Sequence, residues 1–208
     1  MIRVLIADDH PVVLRGLKEI LAGDPEIEVA GEASDGFEVL QLVRAEDLDV
    51  AIIDFSMPGR SGLELVEQLK MARPDLPVLV LSMHPEEHVG TRCLRAGAAG
   101  YMTKESAPTE LMKAIRRVAA HGKYVSESMA ERLAWVLETG KEALHERLSA
   151  REYRVLCLIA SGRTGGQIAA ELHLSPNTVN TYRRRILEKL HLANNGELTR
   201  YAICNRLV

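Results

Sequence analysis

Roughly the first 120 residues repeat one pattern of apolar and polar positions five times. Short apolar runs rich in β-branched residues are typical of buried strands, and they lie at 2–7, 27–33, 50–54, 77–82 and 98–102. Each run is followed by a longer stretch with helical spacing. In the first stretch Val13, Leu17 and Leu21 share one side, and Pro11 stands near its start. Because parallel strands need crossover connections, the pattern predicts a doubly wound α/β fold with helices on both faces of a parallel sheet.

The pattern changes after Tyr124. Residues 126–138 have the spacing of one amphipathic helix, and the polar stretch from Glu138 to Glu142 is typical of a linker. From Leu148 onward the spacing predicts four short helices, over 149–161, 165–172, 176–190 and 195–205. We therefore expect a first domain over 1–122, a linker with one helix over 123–147, and a small all-α domain over 148–208.

The composition excludes several classes of protein. With 47% hydrophobic and 26% charged residues, the 208-residue chain is unlike disordered, collagen-like or disulfide-rich proteins. Its longest apolar runs fall far short of the roughly 20 residues that cross a bilayer, and Asp8 and Asp9 interrupt any N-terminal signal sequence. We expect a cytoplasmic protein without a membrane partner, in which Cys93, Cys157 and Cys204 are reduced thiols.

The charge is unevenly distributed along the chain. Residues 1–124 hold 20 acidic and 14 basic residues, whereas residues 148–208 hold four acidic and nine basic ones. A basic segment fits a polyanion-binding module, but it fits a solvated positive face equally well. Charge alone leaves both interpretations open.

Acidic residues stand at the ends of two predicted strands. Asp8 and Asp9 end the first strand, and Asp54 ends the third. In a flavodoxin-like strand order of 2-1-3-4-5 these strands are neighbours, and ligands bind in the crevice at their carboxyl ends. Carboxylates about 4 Å apart repel by roughly 1–4 kcal/mol, which favours a shared cation. Because oxygen ligands suit Mg²⁺, we predict a magnesium site around the three carboxylates.

Two further strand ends add a hydroxyl and an ammonium group to the same edge. Ser82 ends the fourth strand, and Lys104 follows the fifth. This set suits phosphoryl transfer to the Asp54 carboxylate, with the metal and Lys104 neutralising the phosphoryl oxygens. The product is an acyl phosphate on Asp54. The alternative is a Mg²⁺-dependent phosphohydrolase with Asp54 as nucleophile, although Ser56 stands where such an enzyme would want a second acid.

The strand-end motifs resemble those of response-regulator receiver domains. They are Leu5-Ile6-Ala7-Asp8-Asp9-His10, Ile53-Asp54-Phe55-Ser56-Met57-Pro58-Gly59 through Gly62, Ser82, and Gly100-Tyr101-Met102-Thr103-Lys104. The resemblance implies that a sensor histidine kinase phosphorylates Asp54, and that Mg²⁺, or Mn²⁺ in its place, is bound by Asp8, Asp9, Asp54 and the backbone carbonyl of Ser56.

The same resemblance implies how the first domain responds to phosphorylation. It implies that Ser82 and Tyr101 move when the phosphoryl group arrives and that Lys104 pairs with it. It also implies that the chain is not an enzyme beyond slow self-dephosphorylation. Glu105 after the lysine is typical of the NarL/FixJ branch of these proteins.

The basic segment has the helix signals of a helix-turn-helix. Ser149 with Glu152 forms a capping-box pattern, and Ser175-Pro176 predicts the start of the third helix. On that helix Val179, Ile186 and Leu190 form a core-facing line. Its other positions carry groups that can contact phosphates or base edges, so we predict DNA binding by Asn177, Thr178, Asn180, Thr181, Arg183, Arg184 and Arg185.

Several motifs of this segment resemble the LuxR-type DNA-binding domain. They are Leu148-Ser149-x-Arg151-Glu152, Gln167-Ile168-Ala169, Leu174-Ser175-Pro176-Asn177-Thr178-Val179 and Ile186-Leu187-Glu188-Lys189-Leu190. Asn180 stands where many relatives have Lys, and with Tyr182 it resembles the GacA/UvrY-like subgroup. In relatives the last helix forms a dimer, which implies a homodimer here. We therefore expect a dimer seam at Leu198, Tyr201, Ala202 and Asn205, with a core face of the domain as the alternative.

The leading hypothesis is a two-component response regulator. Phosphorylation of Asp54 would control sequence-specific binding of the basic domain to double-stranded DNA, and thereby transcription. The alternative for the basic domain is a protein-interaction module, which would bind no DNA or bind it without the salt dependence expected of phosphate contacts.

Overall fold

The computed structural model describes residues 1–57, 62–83, 86–139, 143–205 and 207–208. It divides the chain into two compact units, Met1–Glu138 and Thr139–Val208. The division falls inside the segment 123–147. Among the described residues, no helix is both long enough and apolar enough to span a bilayer.

The first unit contains a five-stranded parallel sheet. Its strands are β1 (Ile2–Ala7), β2 (Ile27–Ala33), β3 (Val50–Asp54), β4 (Val78–Ser82) and β5 (Gly100–Thr103). The order is β2-β1-β3-β4-β5, which confirms the predicted topology. In the register Ala7 lies opposite Ile53, and Ser82 lies opposite Thr103. The carboxyl ends of β1, β3, β4 and β5 are therefore level along one edge of the sheet.

The described residues up to Thr139 contain six helices. They are α1 (Pro11–Ala22), α2 (Gly36–Ala45), α3 (Gly62–Ala72), α4 (Glu86–Arg95), α5 (Pro108–Ala119) and α6 (Glu127–Thr139). Strands β3 and β4 are buried along their whole length, because helices cover both faces of the sheet. On one face Leu17 and Leu21 of α1 and Leu111 and Ile115 of α5 pack against the sheet. This buried scaffold fixes the positions of the strand ends.

The second unit is entirely helical in its described part. It begins with a 3₁₀ turn at Leu144–Arg147, which the sequence pattern did not predict, and continues with α7 (Ala150–Ala160), α8 (Gly165–Glu171), α9 (Pro176–Leu190) and α10 (Asn195–Cys204). The predicted capping box of Ser149 and Glu152 is confirmed, as is the Ser175 cap of α9. One apolar core joins all four helices and includes Leu156, Ile168, Ile186 and Leu198.

Candidate functional site

Two buried carboxylates share one lysine at the carboxyl edge of the sheet. Asp8 directly follows β1 and Asp54 is the last residue of β3; they are 1% and 2% exposed. Lys104 directly follows β5, and its Nζ lies 2.5 Å from Asp8 Oδ2 and 3.1 Å from Asp54 Oδ1. Three separate strands thus bring two negative charges and one positive charge into direct contact.

The electrostatics of this cluster favour a permanently charged lysine. Burial favours the neutral amine, but the hydrogen bonds and charges of Asp8 and Asp54 hold the pKa of Lys104 above its usual value. Burial also raises the pKa of Asp54, against the opposing hydrogen bond and charge of Lys104. Asp54 is therefore a carboxylate with little hydration whose main charged partner is Lys104.

Ser82 lies on β4, next to β3, and Tyr101 lies on β5. Ser82 ends β4, is fully buried, and its carbonyl oxygen accepts a hydrogen bond of 2.8 Å from the backbone N–H of Lys104. Tyr101 is 1% exposed within β5. Ser56 is exposed two residues beyond Asp54, and its backbone N–H donates a hydrogen bond to the Asp54 carboxylate. Pro58 and Gly59 of the sequence motif lie outside the described residues.

A group of potential metal ligands lies beside this cluster. One ligand atom each from Asp8, Asp9 and His10 lie within 4.8 Å of one another. His10 Nδ1 is 2.8 Å from Asp9 Oδ1 and 3.2 Å from Asp8 Oδ1. Asp54 adjoins this group, since the Lys104 ammonium contacts both Asp8 and Asp54.

This group includes a His10 nitrogen in addition to the predicted Asp8 and Asp9, and the full ligand set of Asp8, Asp9, Asp54 and the Ser56 carbonyl stays a prediction. The pattern of strand-end carboxylates predicted Asp54 with Asp8 and Asp9, and it did not indicate His10. The available signal was the adjacency of His10 to two acidic residues at a strand end. Two carboxylate oxygens and a ring nitrogen that converge in this way form a pocket suited to a cation.

The second unit presents a polar helix face. Val179, Ile186 and Leu190 of α9 are buried, as predicted from their spacing. The exposed positions of the same helix include Asn177, Asn180, Arg184 and Arg185. Helix α8 precedes α9 through a short connection, as in a helix-turn-helix.

The seven residues predicted to contact DNA are not equivalent in the structure. Thr178 Oγ1 lies 2.8 Å from Ser175 Oγ, and the Thr181 hydroxyl donates to the carbonyl oxygen of Asn177 at 3.0 Å. Arg183 Nε donates to Asn195 Oδ1 at 2.5 Å, which connects α9 to the start of α10. The hydroxyls of Thr178 and Thr181 and the Nε of Arg183 are therefore already engaged within the unit.

Two of the four residues predicted for the dimer seam on α10 are buried within one copy. Leu198 and Ala202 are fully buried, and Tyr201 Oη lies 3.1 Å from His145 Nδ1. Asn205 Nδ2 donates to the carbonyl oxygen of Tyr201 at 2.8 Å. The seam interpretation is corrected for Leu198 and Ala202, because α10 uses its apolar side to cover α7. For the partly buried Tyr201 and Asn205 the dimer seam stays a prediction. Ile203, on the outer side of α10, is 60% exposed.

Comparison with known proteins agrees with both units. Residues 4–116 match the response regulator receiver domain family, and residues 146–202 match the luxR family of bacterial regulatory proteins. The response regulator UvrY of Escherichia coli K12 is 37% identical over 99% of this chain and 97% of its own length. The response regulator GacA of Pseudomonas aeruginosa is 39% identical over 100% of this chain and 98% of its own length.

Solved structures of RcsB show the same architecture. RcsB from Salmonella enterica serovar Typhimurium, bound to the promoter rprA in the presence of phosphomimetic BeF₃⁻, is 30% identical to this chain. The match covers 96% of this chain and 97% of that chain, with a TM-score of 0.71. An RcsB–DNA complex is 31% identical over 96% of each chain, with a TM-score of 0.62. The chain therefore belongs to the two-component response regulators, with a receiver domain followed by a LuxR-type helix-turn-helix domain, and falls in the GacA/UvrY-like subgroup.

Proposed function

We propose that a sensor histidine kinase phosphorylates Asp54 and that this modification controls sequence-specific binding of the chain to double-stranded DNA and hence transcription. The observation that carries the proposal is the contact of Lys104 with both Asp8 and Asp54, at 2.5 and 3.1 Å. It places a cation beside the carboxylate that would accept the phosphoryl group. The cytoplasm is the compartment in which such a regulator meets its DNA.

The transfer itself requires a nucleophile and charge neutralisation. An Asp54 oxygen attacks phosphorus, a P–O bond forms, the P–N bond to the kinase histidine breaks, and the histidine keeps the electron pair. Lys104 stays protonated and neutralises part of the charge on the phosphoryl oxygens. We propose no catalysis by this set beyond slow self-dephosphorylation.

The acidic pocket fits a divalent cation. Asp8, Asp9, Asp54 and the backbone carbonyl of Ser56 would hold Mg²⁺, whose charge would further neutralise the phosphoryl group. His10 adds a ring nitrogen 2.8 Å from Asp9 Oδ1, so the donor set also fits Mn²⁺.

Phosphorylation adds about one negative charge and new acceptor oxygens at this edge of the sheet. A change from 1:99 to 99:1 between two states needs roughly 5.5 kcal/mol, which a few charge-assisted hydrogen bonds at about 1.5–3 kcal/mol each can supply. Lys104 and the Ser82 hydroxyl are the proposed donors to the phosphoryl oxygens. Tyr101, on the adjoining strand β5, is the residue proposed to change position in response. The buried positions of Ser82 and Tyr101 support a response inside the sheet.

The outer face of α9 supports DNA binding, and the promoter and DNA complexes of RcsB support it by analogy. A structure of RcsB contains dimers on DNA, and we extend dimerisation to this chain. The exposed Ile203 side of α10 is the surface proposed for it, because Leu198 and Ala202 are buried within one copy.

Labelling with acetyl phosphate and Mg²⁺ tests the phosphoryl-acceptor role. We expect one phosphoryl group per chain that persists for minutes, and none in Asp54→Asn. Asp47→Asn is the matched control, because the Asp47 side chain is 91% exposed. Labelling of Asp54→Asn, or multiple turnover on ordinary phosphomonoesters, would contradict the proposal.

A further inference from the structure

We propose that Asn180 and Arg184 determine the base preference of this chain, with Asn180 reading an adenine and Arg184 a guanine about two base pairs away. The inference rests on the proposed DNA binding and specifies which groups select the sequence. Some polar side chains of α9 have hydrogen-bond partners within the unit, and others are exposed to solvent.

Most polar groups near the start of α9 already have partners within the unit. The hydroxyls of Thr178 and Thr181 and the guanidinium of Arg183 make the contacts at 2.8, 3.0 and 2.5 Å described above. Asn177, Asn180 and Arg184 are all exposed, and Asn180 and Arg184 are one helical turn apart. Arg184 Nε lies 3.8 Å from Glu188 Oε1, but the two side chains are 72% and 67% exposed, so this ion pair is weak and easily exchanged.

The helix places these two side chains together. Successive residues of an α-helix are about 100° apart, which puts Asn180 and Arg184 within about 40° of each other. The buried Val179, Ile186 and Leu190 lie about 80–160° away from them around the helix. A shift of four residues is about 6 Å along the axis, and base pairs are stacked about 3.4 Å apart. One turn of α9 laid along a groove therefore spans about two base pairs.

The chemistry of each side chain selects one base. An asparagine amide carries a donor and an acceptor, which match N6 and N7 of adenine in the major groove. A guanidinium carries paired donors only, which match O6 and N7 of guanine. Arg185 is exposed about 100° further around the helix than Arg184, where a cation faces the phosphate backbone rather than the bases.

Site selection from a randomised duplex pool tests the proposal on the full chain after incubation with acetyl phosphate and Mg²⁺. The selected sites should require an adenine and a guanine about two positions apart. Asn180→Ala should lose the adenine preference only and Arg184→Ala the guanine preference only, each by about tenfold in discrimination. The matched control Arg185→Ala should keep both preferences while it weakens binding to all sequences and lowers the salt slope by about one.

Base analogues make the assignment atom-specific. Replacing the selected adenine by 7-deazaadenine removes the N7 acceptor, which should weaken the wild-type chain about tenfold and leave Asn180→Ala unaffected. Replacing the selected guanine by 7-deazaguanine should likewise weaken the wild-type chain about tenfold and leave Arg184→Ala unaffected. Unchanged preferences in both alanine variants, with binding retained, would overturn the inference and leave the proposed function standing. A wild-type chain that selects no duplex would overturn both.

Discussion

The sheet edge of the first unit and the outer face of α9 carry polar side chains in opposite surroundings. Asp8 and Asp54 are almost completely buried and both contact Lys104, whereas Asn180, Arg184 and Arg185 are exposed. In the buried cluster, removal of one charge leaves the others without compensation in a medium of low dielectric constant. On α9 each side chain can be removed nearly independently. Mutation of any one residue at the sheet edge should therefore disturb the whole cluster. On α9, by contrast, each mutation should remove only the contribution of its own side chain.

The largest effect should come from Lys104→Met. Two buried carboxylates would lose their shared cation, so we expect the first unit to lose about 3–5 kcal/mol of unfolding free energy at pH 7. Urea denaturation followed by circular dichroism measures it. The loss should shrink as the pH falls through the raised pKa of Asp54, because the protonated carboxyl needs no cation.

Lys113→Met is the control for this variant. The Lys113 side chain is 69% exposed and pairs with Glu110 on the same helix. Surface pairs of this kind add little to stability, so the control should unfold like the wild-type chain. Equal stability of Lys104→Met and Lys113→Met would show that the carboxylates at the sheet edge do not depend on Lys104.

A comparison of Leu198→Ala with Ile203→Ala tests the two sides of α10. Leu198 is fully buried, so its truncation should cost the second unit about 2–5 kcal/mol of unfolding free energy. Ile203 is 60% exposed and should cost less than about 0.5 kcal/mol. Sedimentation of the phosphorylated chain should then show weaker self-association for Ile203→Ala only. If Leu198→Ala keeps the unfolding free energy of the wild type, Leu198 is not a core residue and the dimer-seam interpretation stands for it.

The sequence predicted the positions of strands and helices more closely than it predicted the partners of their side chains. The fifth strand was expected at 98–102 and lies at Gly100–Thr103, because the apolar run and the turn residues fix a strand locally. An amphipathic pattern shows that α10 has an apolar side, but not whether α7 or a second copy covers it. The contact of Arg183 with Asn195 likewise depends on how α9 and α10 pack, which the sequence pattern does not show.

His10 lies at the boundary between the two kinds of surroundings, since its side chain is 68% exposed while Asp8 beside it is buried. A ring nitrogen favours Mn²⁺ over Mg²⁺ more than an oxygen donor does. We expect His10→Asn to lower the ratio of Mn²⁺ to Mg²⁺ affinity by about tenfold. Electron paramagnetic resonance of free Mn²⁺ in competition with Mg²⁺ measures this ratio without any phosphorylation assay.

The exposed His121 provides a control in the same unit. His121→Asn removes an imidazole of the same chemistry far along the chain from the acidic pocket, and it should leave the affinity ratio unchanged. The same ratio for wild type, His10→Asn and His121→Asn would show that the ring nitrogen of His10 does not ligate the ion.

The smallest effect concerns a buried charge in the second unit. Glu152 is 3% exposed; burial acts to raise its pKa, but hydrogen bonds from Lys189 at 2.6 Å and from the Ser149 backbone at 2.7 Å hold the pKa below the usual 4.5. A lowered folded pKa gives stability above pH 4.5 that is lost as the pH falls through the folded value. Glu152→Gln should therefore unfold about 1 kcal/mol more easily at pH 7 and match the wild type in acid. A difference that persists at pH 2 would assign the effect to packing, because neither side chain is then charged.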